Sequence, residues 1–151
     1  MVYSFLDNQA TLSGPGASAI PLGAGAAVAE EGITIDFVED KDTMHVGADG
    51  ETVHSLHATR AATATVRLLK TSPTNALLSA MYAYQASSSL FWGQNTLLVA
   101  NSALGDLYDC QEVAFAKFPS NTWAKDAGFL EWRFNVAKCY PTLGAGAGTL
   151  L

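Results

Sequence analysis

The sequence predicts a mainly β fold, all-β or α+β in class: an antiparallel β-sandwich or β-barrel with one α-helix on its flank. Three observations carry the prediction. Alternating apolar and polar residues recur at Ile33–Val38, Ala62–Leu68 and Leu130–Val136; a period of two marks a strand with one buried and one wet face. Only the stretch after Ser72-Pro73 changes to helical spacing. Turn-forming clusters at Ser13–Gly16, Glu39–Asp42, Gly47–Gly50 and Pro119–Asn121 punctuate the rest.

In chain order, Val2–Leu12 reads as a first strand, interrupted at Asp7-Asn8. Ser13-Gly-Pro-Gly16 breaks it, and an Ala/Gly-rich segment at about 13–31 is expected to be a mobile surface loop with little to bury. Ile33, Ile35 and Phe37 define a half-buried strand. Beyond the charged turn Glu39–Asp42, Met44 and Val46 resume the alternation, so the pair reads as a β-hairpin with a mobile tip at about 38–51. Val53–Ala58 leads into a central strand, where Ala62, Ala64, Val66 and Leu68 share one parity and Thr63, Thr65 and Arg67 the other.

Ser72 can cap free N–H groups, and Pro73 suits a first helical turn, where its missing N–H costs nothing. Leu77, Leu78, Met81, Tyr82 and Gln85 then recur at helical spacing, predicting a helix over about 73–88. At 1.5 Å per residue it is about 24 Å long. Burying four of its apolar side chains against a sheet contributes about 6–12 kcal/mol as an upper estimate. Leu90–Gly93 is an apolar corner. Thr96–Asn101 and Leu107–Phe118 are further strands. The last strand sets Leu130, Trp132, Phe134 and Val136 against Glu131, Arg133 and Asn135, and Pro141 stops it. Residues 142–151 form a Gly/Ala-rich tail. No linker or internal repeat divides the 151 residues, which read as a single domain.

Composition narrows the function classes. Charged residues make up only 15% of the chain, while Ala, Gly, Ser and Thr abound, which points to surface covered by other subunits. The net charge is −6 and the eight Lys and Arg are scattered, so the basic face of a DNA-gripping module is missing. No stretch has the length and apolarity of a membrane span, and the N-terminus lacks a secretory signal. Cys110 and Cys139 are far apart in sequence without CxxC spacing, and read as reduced, buried thiols of a cytoplasmic protein in preference to a disulfide.

Motifs that would carry chemistry fail on context. His54 and His57 lie three apart in a strand-like run, on opposite faces and without a third ligand, so no metal site is assigned. The Gly23–Gly25 and Gly144–Gly148 runs do not join a strand to a helix in a βαβ unit. The carboxylates at Glu30-Glu31 and Glu39–Asp42 sit in predicted loops, and Asp109 and Glu112 fall on opposite strand parities. No enzyme, cofactor or metal is expected. Trp132 belongs to the apolar parity of a strand, whereas Trp123, in a turn, is a candidate interface anchor.

The tract from Thr65 to Leu78 (TVRLLKTSPTNALL), the opening Tyr3–Asp7 and the late Glu131–Val136 segment resemble tail tube proteins of contractile-tailed bacteriophages, whose fold relative is the type VI secretion tube protein. The resemblance runs from Tyr3 to Leu143. It implies six copies in a ring, rings stacked into a hollow tube, and about four strands per copy lining one continuous inner barrel. Twenty-four strands at about 4.8 Å give a backbone diameter of about 37 Å, wide enough for a DNA duplex after side chains are subtracted. The implied function is a virion conduit for DNA ejection, assembled in the bacterial cytoplasm, with sheath, tape-measure and baseplate proteins as partners. DNA would be in transit only, and no membrane is involved. Six copies at −6 carry −36 per ring, which would repel phosphates wherever it lines the bore. On this reading Thr63, Thr65, Arg67, Glu131, Arg133 and Asn135 are lumen candidates, with Arg67 and Arg133 blunting a negative lining. Glu39, Asp40, Lys41, Asp42 and Trp123 are candidate contacts between rings or subunits. The alternatives are the tube of a phage-derived injection or secretion device, and a small-ligand-binding β-barrel.

Overall fold

The computed structural model describes residues 2–25 and 28–144, with the side chains of 26–31 left aside. A short 3-10 turn, Phe5–Asp7, opens the chain where a strand was expected, with the Ser4 hydroxyl accepting from the Leu6 N–H. The strands are β1 (Asn8–Gly14), β2 (Ala17–Pro21), β3 (Val28–Phe37), β4 (Asp42–Val46), β5 (Thr52–Leu56), β6 (Ala62–Leu69), β7 (Asn95–Asn101), β8 (Asp106–Lys117) and β9 (Phe129–Thr142), with one helix, α1 (Thr74–Ala86). Seven strands form one sheet in the order β2-β1-β7-β8-β9-β6-β3, antiparallel at every step, and β4 and β5 pair separately.

The core lies on one face of the large sheet. Ala62, Ala64, Val66 and Leu68 of β6 are buried, as alternation requires, and Trp132, Phe134 and Val136 lie opposite them on β9. α1 crosses this face. Leu78, Met81 and Gln85 are buried, and Tyr82 packs edge-on against Phe115, whose ring centroid is 5.5 Å away. The Trp132 indole donates to Asn75 Oδ1 at 3.0 Å, fixing the start of the helix over β9. Leu77, expected in the stripe, is half exposed. Three apolar side chains rather than four therefore anchor the helix, and the burial estimate falls in proportion. Ser72 Oγ accepts from the Thr74 N–H, so it braces the first turn as anticipated.

The sheet curls but does not close. Ile33 and Ile35 of β3 share a cavity of about 230 Å³ with Val99 of β7 and Tyr108 of β8, although three strands separate β3 from β7. Among the described residues the outer strands β2 and β3 do not pair with each other, so the architecture is an open curled sheet with a flanking helix, not a closed barrel. Along β8 and β9 the buried face changes parity between Cys110 and Val113 and, opposite, between Val136 and Cys139, around Glu112 with φ 53°. At this irregularity strand parity no longer sets Asp109 and Glu112 on opposite faces. Instead, Asp109 accepts from Gln111 and Glu112 faces Lys138, so the two carboxylates take different partners.

Four further expectations are corrected. The 13–31 segment, read as a loose loop, contains β2 and the beginning of β3. Met44 and Val46 do not return against β3: β3 pairs with β6, and β4 pairs with β5. Alternation had identified strands without identifying partners. The turn at Glu39–Asp42 is accordingly the root of an independent hairpin, whose tip is at Gly47–Gly50. Pro141 does not stop β9, which continues opposite Tyr108 and Leu107 to Thr142. Of the expected 142–151 tail, residues 145–151 lie outside the described residues.

Candidate functional site: a polar sheet face and an exposed hairpin

The six polar residues singled out on the central and last strands converge on one surface. The β6–β9 register sets Thr63 opposite Asn135, Thr65 opposite Arg133 and Arg67 opposite Glu131. The adjacent strands extend the rows: Asp36 and Thr34 of β3 lie beside Thr63 and Thr65, and Ala114 and Lys117 of β8 beside Asn135 and Arg133. Paired residues point to the same side of a sheet, so this is one polar face built from β3, β6, β9 and β8, opposite the core. Arg67 Nε lies 3.3 Å from Glu131 Oε2. Both side chains are partly exposed, so the pair contributes under about 1 kcal/mol, but it cancels one positive charge on the face. Among the described side chains of these rows, three cations (Arg67, Arg133, Lys117) stand against two acids (Asp36, Glu131), a balance of +1.

The chain's negative charge concentrates elsewhere. Residues 39–51 hold Glu39, Asp40, Asp42, Asp49 and Glu51 against Lys41, a net −4 of the total −6. They form the root and tip of the β4–β5 hairpin, nearly all of which is exposed. An isolated two-stranded hairpin is marginal in water, and this one is braced locally. Asp42 Oδ2 lies 2.9 Å from His54 Nδ1, Thr43 Oγ1 lies 2.6 Å from His57 Nε2, and the His57 N–H donates to the Lys41 carbonyl at 2.9 Å. At the tip the Gly47 N–H donates to the Glu51 carbonyl at 2.6 Å. His54 and His57 thus hold separate hairpin partners. Among the described residues no three His, Cys, Asp or Glu side chains gather in metal-binding geometry.

Register divides the hairpin into two faces. Asp42, Met44 and Val46 share a side with Leu56, His54 and Thr52, while Thr43, His45, Val53 and Ser55 occupy the other. The first face therefore carries Met44, Val46 and Leu56, all exposed. Such a cluster on a projecting arm is a candidate contact surface. Sequence reasoning placed contacts at Glu39, Asp40, Lys41 and Asp42. These four are exposed at the hairpin root, where Lys41 Nζ donates to the Thr59 carbonyl, but the apolar face beyond them was missed. Met44 and Val46 carried the signal, and it was assigned to the wrong partner strand.

Trp123 stands apart, 83% exposed, with the Lys70 ammonium 5.3 Å from its ring centroid and bonded to the Thr122 carbonyl at 2.6 Å. The lysine holds the loop so that the indole projects outward.

A sequence profile of the family described as bacteriophage PhiTE tail tube protein matches residues 1–144. No curated protein matches the sequence. Among solved structures, the fold superposes on a chain from the sheath-tube complex of an extracellular contractile injection system, PVC, in its extended state. The TM-score is 0.53 at 11% identity, over 95% of this chain and 92% of that one. A chain in the baseplate of the anti-feeding prophage (AFP) gives 0.56 at 5% identity over 94% and 95%. A chain from the tube-terminating cap of the same particle gives 0.53 at 11% over 95% and 91%. At these identities the likeness is one of fold.

Proposed function

Because this chain belongs to the bacteriophage PhiTE tail tube protein family, we propose that six copies close into a ring, that rings stack into a hollow tube, and that DNA passes through it during ejection. The observation that carries this reading is the pair of unpaired backbone edges beside the polar four-strand face. Among the described residues β3 pairs with β6 alone, and residues 114–117 of β8 lie beyond the last β7 pairing, at Val113, with partners in β9 alone. Joining the β3 edge of one copy to the 114–117 edge of the next extends the four-strand face around a circle. Six copies contribute twenty-four strands, and the closed circle leaves no edge on that face free to aggregate.

Thr63, Thr65, Arg67, Glu131, Arg133 and Asn135 then line the bore. Hydroxyls, an amide, a neutralised Arg–Glu pair and the single Arg133 guanidinium give a wall with few cations to hold phosphates, as a conduit needs, since affinity for DNA follows the number of phosphates neutralised. On this reading Arg67 and Arg133 blunt the lining as expected, and the chain's acidic charge is concentrated on the hairpin rather than in the bore. Met44, Val46 and Leu56 pack against an adjacent copy, with Glu39, Asp40, Lys41 and Asp42 at the rim of that contact and Trp123 anchoring a separate one. The sheath, tape-measure and baseplate proteins are the remaining partners, the virion is the site of action, and assembly takes place in the bacterial cytoplasm. A ligand-binding barrel fits poorly, because the sheet is open. A genome-free injection tube would use the same surfaces.

Negative-stain electron microscopy of the concentrated protein, beside size-exclusion chromatography, tests the proposal. Rings or tubes with a central pore are the expected result. A 15.9-kDa monomer at every concentration, with no rings in the images, would refute self-assembly by this chain.

A further inference from the structure

Cys110 and Cys139 occupy one register position across β8 and β9, fully buried, with sulfurs 3.6 Å apart. The backbone defines their spacing further. The Cys139 N–H donates to the Arg60 carbonyl at 2.9 Å, on the side of β9 away from β8. The N–H and C=O of one residue in an antiparallel strand point the same way, so Cys139 directs neither at Cys110. The two cysteines therefore form a non-hydrogen-bonded pair, the narrow kind, with Cα atoms about 4.5 Å apart. That falls within the range of about 4.4–6.8 Å that a disulfide spans without backbone movement. Neither sulfur has exposed surface, so an oxidant would enter by a local opening beside an adjoining cleft. Cys139 lines a cleft of about 400 Å³ at the hairpin root, with Phe37, Lys41, Arg60 and Pro141.

We propose that Cys110 and Cys139 are a modification site: a dithiol that a small peroxide-class oxidant closes into a cross-strand disulfide. The Cys139 sulfur, nearer the cleft, attacks a peroxide oxygen as the thiolate. The O–O bond breaks, one water leaves, and a sulfenic acid remains. The Cys110 sulfur displaces the sulfenic oxygen as a second water, forming the S–S bond. Two thiols and one hydrogen peroxide thus give one disulfide and two waters, with two electrons passing from sulfur to peroxide. The reaction is slow at neutral pH, because burial raises both thiols, Cys110 to about 12, and keeps thiolate scarce. The bond tethers β8 to β9 beside the parity change at Glu112. It restricts the unfolded chain, whether or not the protein forms rings.

The full-length protein is incubated with hydrogen peroxide, denatured, alkylated with iodoacetamide and weighed by mass spectrometry. The expected product has lost two hydrogens, takes no alkyl group, and unfolds about 5–10 °C higher than the reduced protein. Dithiothreitol reverses each change, and the rate rises about tenfold from pH 7 to pH 8 with the thiolate fraction. Cys110→Ala and Cys139→Ala each abolish the thermal gain. Because either variant can lose stability through its own cavity, the alkylation count on the unaltered protein stands as the independent measure. Recovery of two alkylated cysteines after oxidation, or of sulfinic acids or disulfides between chains in place of the internal one, overturns the proposal.

Discussion

Replacing Met44 and Val46 together by serine tests the hairpin as an assembly surface without touching the domain core. Both residues lie on the same hairpin face and are 55% and 62% exposed. Full burial of such a side chain contributes about 1.5–3 kcal/mol. Covering the exposed portion, a little over half, is therefore worth about 1–1.8 kcal/mol each, or about 2–3.5 kcal/mol for the pair. At 1.4 kcal/mol per decade, the concentration at which rings or tubes appear should rise about 30- to 300-fold in M44S V46S. The melting temperature should hardly change, since β4 pairs only with β5 and contributes nothing to the core. Sedimentation across a concentration series, with calorimetry alongside, reads both quantities. An unchanged assembly threshold with an unchanged melting temperature would refute the assignment. A large drop in melting temperature would show that the hairpin supports its own domain instead.

Gln85 and Asn95 are fully buried and exchange two hydrogen bonds, of 2.7 and 3.0 Å, while Gln85 also donates to the Pro15 carbonyl at 2.9 Å. Gln85→Leu should cost about 3–6 kcal/mol by denaturant unfolding, because it orphans both ends of the Asn95 amide and that carbonyl. Adding Asn95→Leu should recover part of the loss, and simple additivity in that cycle would contradict the pairing. Gly14→Ala should cost about 1–3 kcal/mol in the same assay, since its Cβ would collide with Asn95 Oδ1. Cys110 predicts alkaline sensitivity: burial first, then the nearby Cys139, lifts its thiol from 9.0 to about 12. A folded-state value above the unfolded one favours the neutral thiol, so its contribution is complete below about pH 9 and is lost as pH rises toward 12. Unfolding midpoints at pH 8, 10 and 11 should fall more steeply for the wild type than for C110A C139A, and parallel curves would contradict this.

The regular parts of the fold were legible where one face of an element meets this chain's own core. β6 alternates throughout and β9 does so up to Val136, and over those stretches the buried and polar sides fall as the alternation predicts. α1 showed its period, and only Leu77 departed from it, because the curled sheet does not reach that side of the helix. β2 was illegible because Ala17–Pro21 buries a single residue, Ile20, too little to make a pattern. The continuation of β9 through Pro141 was equally hidden, since a proline signals a break unless its missing N–H faces away from a partner. Partnership was harder than existence. The residues around Ile35 alternate in the same way whether they pair with a strand ten residues on or with β6, and nothing local distinguishes the two.

The same ambiguity explains why the polar face could be read from sequence and the hairpin's apolar face could not. Thr63, Thr65, Arg67, Glu131, Arg133 and Asn135 are the complement of core positions, so finding the core finds them. Met44, Val46 and Leu56 alternate like core residues, but no described residue of their own chain buries them, and periodicity does not distinguish a buried strand face from an exposed one. The edges carry the matching signal. Monomeric β proteins blunt exposed edges with proline, lysine or bulges. β3 shifts register between Val28 and Ile33 but runs regularly from Ile33 to Phe37 without proline or lysine, while the free stretch of β8, Ala-Phe-Ala-Lys117, lacks proline but shifts register before its terminal lysine. Edges left open beside an unsupported apolar arm are a liability for a solitary domain and a requirement for one that completes itself from its neighbours. Pairing β3 of one copy with 114–117 of the next is a head-to-tail contact, which ends only when the rotation closes a ring. The hairpin, lying outside that sheet, remains free to meet another copy.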